Sequence, residues 1–181
     1  MDHLFVLNQM IERAKEYRLP RCLLFVDYEK AFDNVEINVV LNALKGQGVE
    51  DNYTKILAEA NSGCTTDINV FGSPIKIPIA KGVWQGDIIS PKLFAACLES
   101  VFRKISWRGG VNIDGEALTH LRFADDIVVI ANDTKTAQEM LLQLNKESKA
   151  VGLEINISKT KYMRSDEEYS YTTGWRSCRG S

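Results

Sequence analysis

The order of predicted elements defines an α+β fold, an antiparallel β-sheet backed by α-helices. Three observations carry that reading. Short runs of β-branched and apolar residues recur along the chain, most clearly Leu23 to Asp27, Leu118 to Phe123 and Ile127 to Ala131. Segments whose apolar residues repeat at helical spacing lie between those runs. Strands and helices are interspersed without the regular strand–helix alternation of a parallel sheet, so antiparallel pairing with helices on a face is the expected layering.

Asp2 is placed to cap a first helix with Leu4, Leu7, Ile11 and Ala14 on one face, closed by Pro20. The buried-type strand Leu23 to Asp27 follows. Asp33 and Glu36 have the spacing of a capping box, with Ile37, Val40, Leu41 and Leu44 as the stripe of the helix behind it. Tyr53, Ile56, Leu57 and Ala60 suggest a further short helix. Cys64 to Phe71 and Ile75 to Ile79, joined by Gly72-Ser73-Pro74, read as a hairpin. Ser90-Pro91 is a helix start, Ser as cap and Pro at the first position, and the stripe Phe94, Cys97, Leu98, Val101, Phe102 and Ile105 continues it. Another hairpin, an amphipathic helix marked by Ala137, Met140, Leu141 and Leu144, and small strands around Leu153 to Ile157 and Thr160 to Met163 complete the order. Residues 1–163 thus form the folded part, and 164–181, without periodicity, a flexible divergent tail.

Composition narrows the function classes. At 181 residues and 45% apolar content, the chain has the material for one domain with a sizeable core. No apolar stretch approaches membrane-span length, and the first ten residues lack the basic start and apolar block of a signal peptide, so an intracellular protein is expected, nuclear or cytoplasmic. Cys22, Cys64, Cys97 and Cys178 show no C-x-x-C spacing, and His3 and His120 are the two histidines, which argues against a zinc site or a disulfide scaffold. The formal net charge of -2 is low for a chain that grips nucleic acid by phosphate contacts. Lys76, Lys81, Lys92, Arg103, Lys104 and Arg108 are local positive candidates, with solvated surface charge as the plainer reading.

The most informative feature is the adjacent pair Asp125 and Asp126 between two strand-like runs. A turn presents neighbouring residues to one side, where strand residues alternate. Two such carboxylates repel by roughly 1 to 3 kcal/mol at ~5 Å, and bound cations reverse that sign. Asp-Asp is also ordinary turn chemistry. The second signal is Asp27 at the end of another buried strand. Three carboxylates brought together would form a divalent-metal site for phosphoryl transfer, with two ions ~4 Å apart.

Four blocks, in order, resemble the reverse transcriptase family, and within it the non-LTR retrotransposon enzymes. They are Phe25-Val26-Asp27-Tyr28-Glu29-Lys30-Ala31-Phe32-Asp33, then Gly82-Val83-Trp84-Gln85-Gly86-Asp87-Ile88-Ile89-Ser90-Pro91, then Phe123-Ala124-Asp125-Asp126, and Gly152-Leu153-Glu154-Ile155-Asn156 with Lys159-Thr160-Lys161. The resemblance implies the palm of a right-hand polymerase, lacking most of the fingers and all of the thumb. It implies that Asp27, Asp125 and Asp126 carry two Mg2+ ions, with Mn2+ as a substitute. The partners implied are an RNA template with a DNA primer and deoxynucleoside triphosphates. Phe32 matches the position that excludes a 2′ hydroxyl, although it is also placed to staple against Ile37. Gln85-Gly86 matches the nucleotide and template contact, although a plain loop fits the dipeptide alone. Lys159 matches the residue that protonates or steadies the leaving pyrophosphate, with a solvated surface lysine as its competitor. Trp84 stands where many relatives carry Arg. The rival from another class is a catalytically inactive remnant that binds RNA or protein. Apolar surface left by missing subdomains predicts self-association or a protein partner.

Overall fold

The computed structural model describes residues 3–63, 65–70, 73–78, 88–165 and 171–173. The contacts within the chain divide it into two compact units, one of residues 1–28, 105–145 and 155–181, the other of residues 29–104 and 146–154.

The first unit is built on a five-stranded antiparallel sheet. Its strands are β1 (Cys22–Val26), β6 (His120–Phe123), β7 (Asp126–Ala131), β8 (Lys161–Ser165) and β9 (Tyr171–Thr173), in the spatial order β6-β7-β1-β8-β9. β1 sits at the centre because nearly every residue in it is apolar, which suits a strand covered on both faces. It pairs with β7 from Cys22 opposite Ala131 to Val26 opposite Ile127, and with β8 from Cys22 opposite Arg164 to Phe25 opposite Lys161. Helix α1 (His3–Glu16) covers one face. Leu7 packs with Leu23 and Ile130, and Met10, Ile11, Phe25, Leu121, Val128 and Met163 close around them. On the opposite face Cys22, Leu24, Val26, Ile127, Val129 and Ala131 are all buried.

The same unit holds a small hairpin, β4 (Val111–Ile113) with β5 (Glu116–Leu118). The run Leu118 to Phe123, predicted as one strand, is therefore two strands of different sheets. Leu118 pairs with Val111, and the break falls at Thr119, whose carbonyl accepts from the Ile130 amide at 2.8 Å. Gly110 allows the hairpin to close. It sits at φ +88°, and a Cβ there would stand 2.4 Å from the Leu118 carbonyl oxygen. Helix α6 (Thr134–Lys149) starts on a cap that its apolar stripe did not reveal. Asp133 accepts from the Thr136 amide and hydroxyl, both at 2.8 Å, and these bonds hold its carboxyl below the ordinary range. Ala137, Met140 and Leu144 are buried as the stripe predicts.

The second unit contains α2 (Ala31–Asn34), α3 (Ile37–Gly46), α4 (Asp51–Ala60), the hairpin β2 (Thr65–Val70) with β3 (Ser73–Pro78), and α5 (Ser90–Phe102). The α5 stripe is as expected: Phe94, Cys97, Leu98, Val101, Phe102 and the following Ile105 are all buried. α3 packs against α5, and the Gln47 side chain donates to the Ala96 carbonyl at 2.7 Å.

Several expectations are corrected. Leu4 is 70% exposed, so the buried stripe of α1 begins at Leu7. Asp33 lies inside α2 and Glu36 starts α3 without a side-chain cap bond, so the two do not form a capping box. On α4, Tyr53 and Ile56 face solvent and Thr54 is the buried residue, its hydroxyl satisfied by the Asp51 carbonyl at 2.9 Å. Ser73 and Pro74 belong to β3, opposite Val70 and Asn69, where a turn was expected. Ser90 is the first residue of α5, with Ile89 as its cap. Leu153 to Ile157 is a loop with a single bridge, Tyr28 to Ile155. Residues 171–173, within the segment that showed no periodicity, pair with β8 from Met163 opposite Thr173 to Ser165 opposite Tyr171.

Burial raises the thiols of Cys22 and Cys97 from 9.0 to about 11. A folded-state value above the unfolded one means that the native chain holds protons the unfolded chain has lost between those values. This contribution to stability is complete below pH 9 and is lost as pH rises toward 11. Urea midpoints should therefore fall across that window, and Cys22→Ala with Cys97→Ala should flatten the fall. An equally steep fall in the double variant would assign it to other groups.

Candidate functional site

The site is built at one end of the two central strands. β1 ends at Val26, opposite Ile127, so Asp27 directly follows the last paired residue of β1 and Asp126, the first residue of β7, directly precedes that residue's partner. Directly opposed residues of an antiparallel ladder project to the same face. Phe25, Val128 and Leu121 therefore share one face, and Asp126, two residues before Val128 on β7, joins it. Phe123 pairs with Asp126 across the β6–β7 hairpin and joins that face.

The hairpin turn consists of Ala124 and Asp125 between paired Phe123 and Asp126. Ala124 adopts φ +54° and Asp125 does not have a positive φ, the sign pattern of a type II′ turn with alanine at the position that favours glycine. A left-handed alanine costs about 1 to 2 kcal/mol. Three residues after Asp27, Lys30 is also left-handed, at φ +45°, and opens α2. Backbone strain thus flanks the acidic residues on both of their segments. Asp125 is half-buried and Asp126 exposed. Phe123 is 73% exposed, an aromatic ring beside the carboxylates with His3 edge-on at 6.3 Å.

Asp27 is held by its backbone. Its amide donates to the Thr160 hydroxyl at 3.4 Å, and its carbonyl accepts from the Asn156 amide at 2.8 Å. Its Oδ2 is buried and accepts no hydrogen bond. The Lys159 Nζ stands 3.8 Å from that oxygen, an ion pair without a hydrogen bond. A buried carboxylate oxygen without a donor is an open ligand position, and an all-carboxylate donor set suits a hard divalent cation such as Mg2+ or Mn2+. Asp27, Asp125 and Asp126 fit such an ion in kind. Among the described residues no group of three or more His, Cys, Asp or Glu side chains is already gathered around one point that could hold a metal.

Lys159 owes its place to Asn156, a residue that sequence reasoning assigned to a strand. The Asn156 Oδ1 accepts from the Ser158 amide at 3.1 Å, the Ser158 hydroxyl at 2.7 Å and the Lys159 amide at 3.2 Å. The spacing Asn-x-Ser-Lys is the signal that could have found it, since asparagine side chains close such turns. Phe32 lies in the second unit, in α2, where its ring meets that of Phe94 at 4.7 Å and 33°. Gln85 and Gly86, with Trp84 and Lys81, lie outside the described residues.

Comparison with known proteins places this geometry in a class. The family model for reverse transcriptase (RNA-dependent DNA polymerase) matches residues 2–174. The R2 retrotransposable-element Pol polyprotein of Popillia japonica is 29% identical over 159 residues, covering 86% of this chain and 22% of the relative. That of Nasonia vitripennis is 28% identical over 151 residues, covering 83% and 15%. Among solved structures, apo telomerase from Candida tropicalis superposes with a TM-score of 0.66 at 16% identity, over 90% of this chain and 33% of the other. Telomerase from Candida albicans, solved with a fragment of telomeric RNA, gives 0.59 at 14%, over 92% and 33%.

The fold is the α+β palm of a polymerase. The chain belongs to the reverse transcriptase family, and the R2 retrotransposable-element polyproteins are among the proteins it resembles. It spans 22% and 15% of the length of those relatives. No helix among the described residues is long and apolar enough to cross a membrane.

Proposed function

We propose that this chain is the palm segment that adds deoxynucleotides to a DNA primer on an RNA template, with residues 1–163 as the working part and Asp27, Asp125 and Asp126 as the metal-binding carboxylates. The reading is supported chiefly by one observation, the Asp27 Oδ2, which is buried and without a hydrogen-bond donor just past the end of β1, where that strand pairs with the start of β7. Rotation of the solvent-accessible Asp125 and Asp126 side chains completes the donor set, a motion that costs little at a surface position. Asp27, Asp125 and Asp126 would hold the divalent ions, whose positive charge would make the primer 3′ hydroxyl more acidic and offset charge on the α-phosphate and the departing pyrophosphate.

The remaining roles belong to the protein's own side chains. Lys159, half of the ion pair with Asp27, supplies positive charge and a proton to the leaving pyrophosphate. The exposed ring of Phe123 offers a stacking surface for a base beside the carboxylates. Gln85 and Gly86 contact the incoming nucleotide and the template, Gly86 by letting backbone come close and Gln85 by donating and accepting together.

Phe32 serves as the sugar gate, and its contact with Phe94 holds the ring in one orientation. Phe32→Val should relax discrimination against ribonucleotides on the order of tenfold or more. Phe94→Leu, which keeps the volume apolar but removes the ring contact, should relax it less. Unchanged sugar selectivity in an active Phe32→Val enzyme would refute the gate.

The direct test is primer extension by the chain on an RNA template with deoxynucleotides and Mg2+. Metal-dependent extension that stops with a chelator is the expected result. RNA binding without extension would instead favour a binding module derived from a polymerase.

A further inference from the structure

We propose that Lys159, held by the Asn156 turn, is a resident counter-cation for Asp27 which an incoming divalent ion has to displace. The inference rests on the metal-binding reading of Asp27 given above and concerns what competes for that carboxylate.

Three features carry it. The ammonium stands 3.8 Å from the one Asp27 oxygen that is buried and has no hydrogen-bond donor, so charge alone joins them. The Lys159 side chain is 68% exposed, so its ammonium stays hydrated and its grip is weak enough to be exchanged. The backbone around Lys159 is nonetheless fixed to Asp27. The Asn156 amide bonds the Asp27 carbonyl at 2.8 Å, and the Thr160 hydroxyl accepts from the Asp27 amide at 3.4 Å. Between those ties, the Asn156 carbonyl accepts from the Lys159 and Thr160 amides at 3.2 and 2.9 Å, while the Asn156 side chain gathers Ser158 and Lys159.

The arrangement is a short rigid base carrying a long flexible cation. Asn156 is thus a positioning residue, acting through Lys159. A cation that takes the Asp27 Oδ2 expels a positive charge already there. The expelled ammonium keeps its tether, so it stays within reach of the anionic leaving group. Metal entry and release of the lysine become one coupled event.

The probe is Mn2+ alone, titrated into the full 181-residue chain and followed by electron paramagnetic resonance of the free ion. Lys159→Met should bind Mn2+ about two- to fivefold more tightly than wild type, the range expected for losing one exposed competing charge. The gain should shrink in high salt, which screens the lysine. Lys161→Met controls for the general loss of a positive charge, since Lys161 lies on β8 opposite Phe25 and is exposed. Asn156→Ala should shift binding in the same direction as Lys159→Met and by no more; if it does not fold, Lys159→Met carries the test.

Mn2+ affinity in Lys159→Met no tighter than in Lys161→Met would overturn the proposal while leaving Asp27 as a ligand. Asp27→Asn separates the two levels. It should abolish the tight Mn2+ site, and if it binds as wild type does, or if wild type and Lys159→Met both bind none, the metal reading itself fails and this inference with it.

Discussion

Asp27→Asn, Asp125→Asn and Asp126→Asn should each leave the circular dichroism spectrum unchanged and lower metal-dependent primer extension on the order of a thousandfold. The size follows from the several kcal/mol that metal ions supply to a phosphoryl-transfer transition state, at about 1.4 kcal/mol per tenfold in rate. Each substitution removes one negative charge while keeping shape and a hydrogen-bonding oxygen. The fold should tolerate the loss. Asp126 is exposed and Asp125 half-buried, so neither substitution opens a core cavity. Near-wild-type extension by any of the three variants would remove that residue from the metal set.

The largest effect on stability is expected at Phe94. Its ring is completely buried in the second unit, on the stripe of α5, and touches Phe32. Phe94→Ala should cost about 3 to 5 kcal/mol, transfer and cavity terms together. Against a total of about 5 to 15 kcal/mol for a folded domain, that is a loss of roughly a fifth to all of its stability. Urea denaturation followed by circular dichroism gives the number. Because the chain comprises two compact units, a biphasic curve in which only one phase moves is compatible with the expectation. A loss below about 1 kcal/mol in both phases would show that the surrounding helices collapse onto the space and that Phe94 does not hold the unit.

The parts of the fold legible in the sequence are those whose local signal and long-range environment agree. Leu23 to Val26 reads as a buried strand, and it is the central strand of the sheet. The stripe from Phe94 to Ile105 reads as a core helix face, and it is buried throughout. Failures occur where a local pattern meets a long-range competitor. Leu153 to Ile157 alternates like a strand, yet the Glu154 carbonyl accepts from the Glu29 amide and the Asn156 amide from its own side serves Asp27, so the segment is spent on a loop. Asp33 and Glu36 have capping-box spacing, yet left-handed Lys30 starts a helix before them. On α4 the apolar stripe is exposed and a threonine goes inside, because its hydroxyl finds a partner in its own helix.

Of the candidate site, residue types and order were legible and mutual placement was not. Asp125 and Asp126 stand out by adjacency, and Asp27 by ending an apolar strand. That the end of β1 pairs with the start of β7, and that Lys159 faces the Asp27 carboxylate, depends on contacts between segments far apart in the chain, which no local window contains. Asn156 went unrecognised for the opposite reason: its role is local, and the apolar neighbours Ile155 and Ile157 masked an asparagine turn as a strand.

Iron-directed backbone cleavage tests most directly whether the distant acidic segments hold the same ion. Fe2+ replacing Mg2+ in the chain, with ascorbate and peroxide, generates radicals that cut the backbone close to the bound metal. Cuts should appear both around residue 27 and around residues 125–126, fade together as Mg2+ is added, and vanish together in Asp27→Asn. Cuts confined to one segment, or a cut near 125–126 that persists in Asp27→Asn, would contradict a shared metal site.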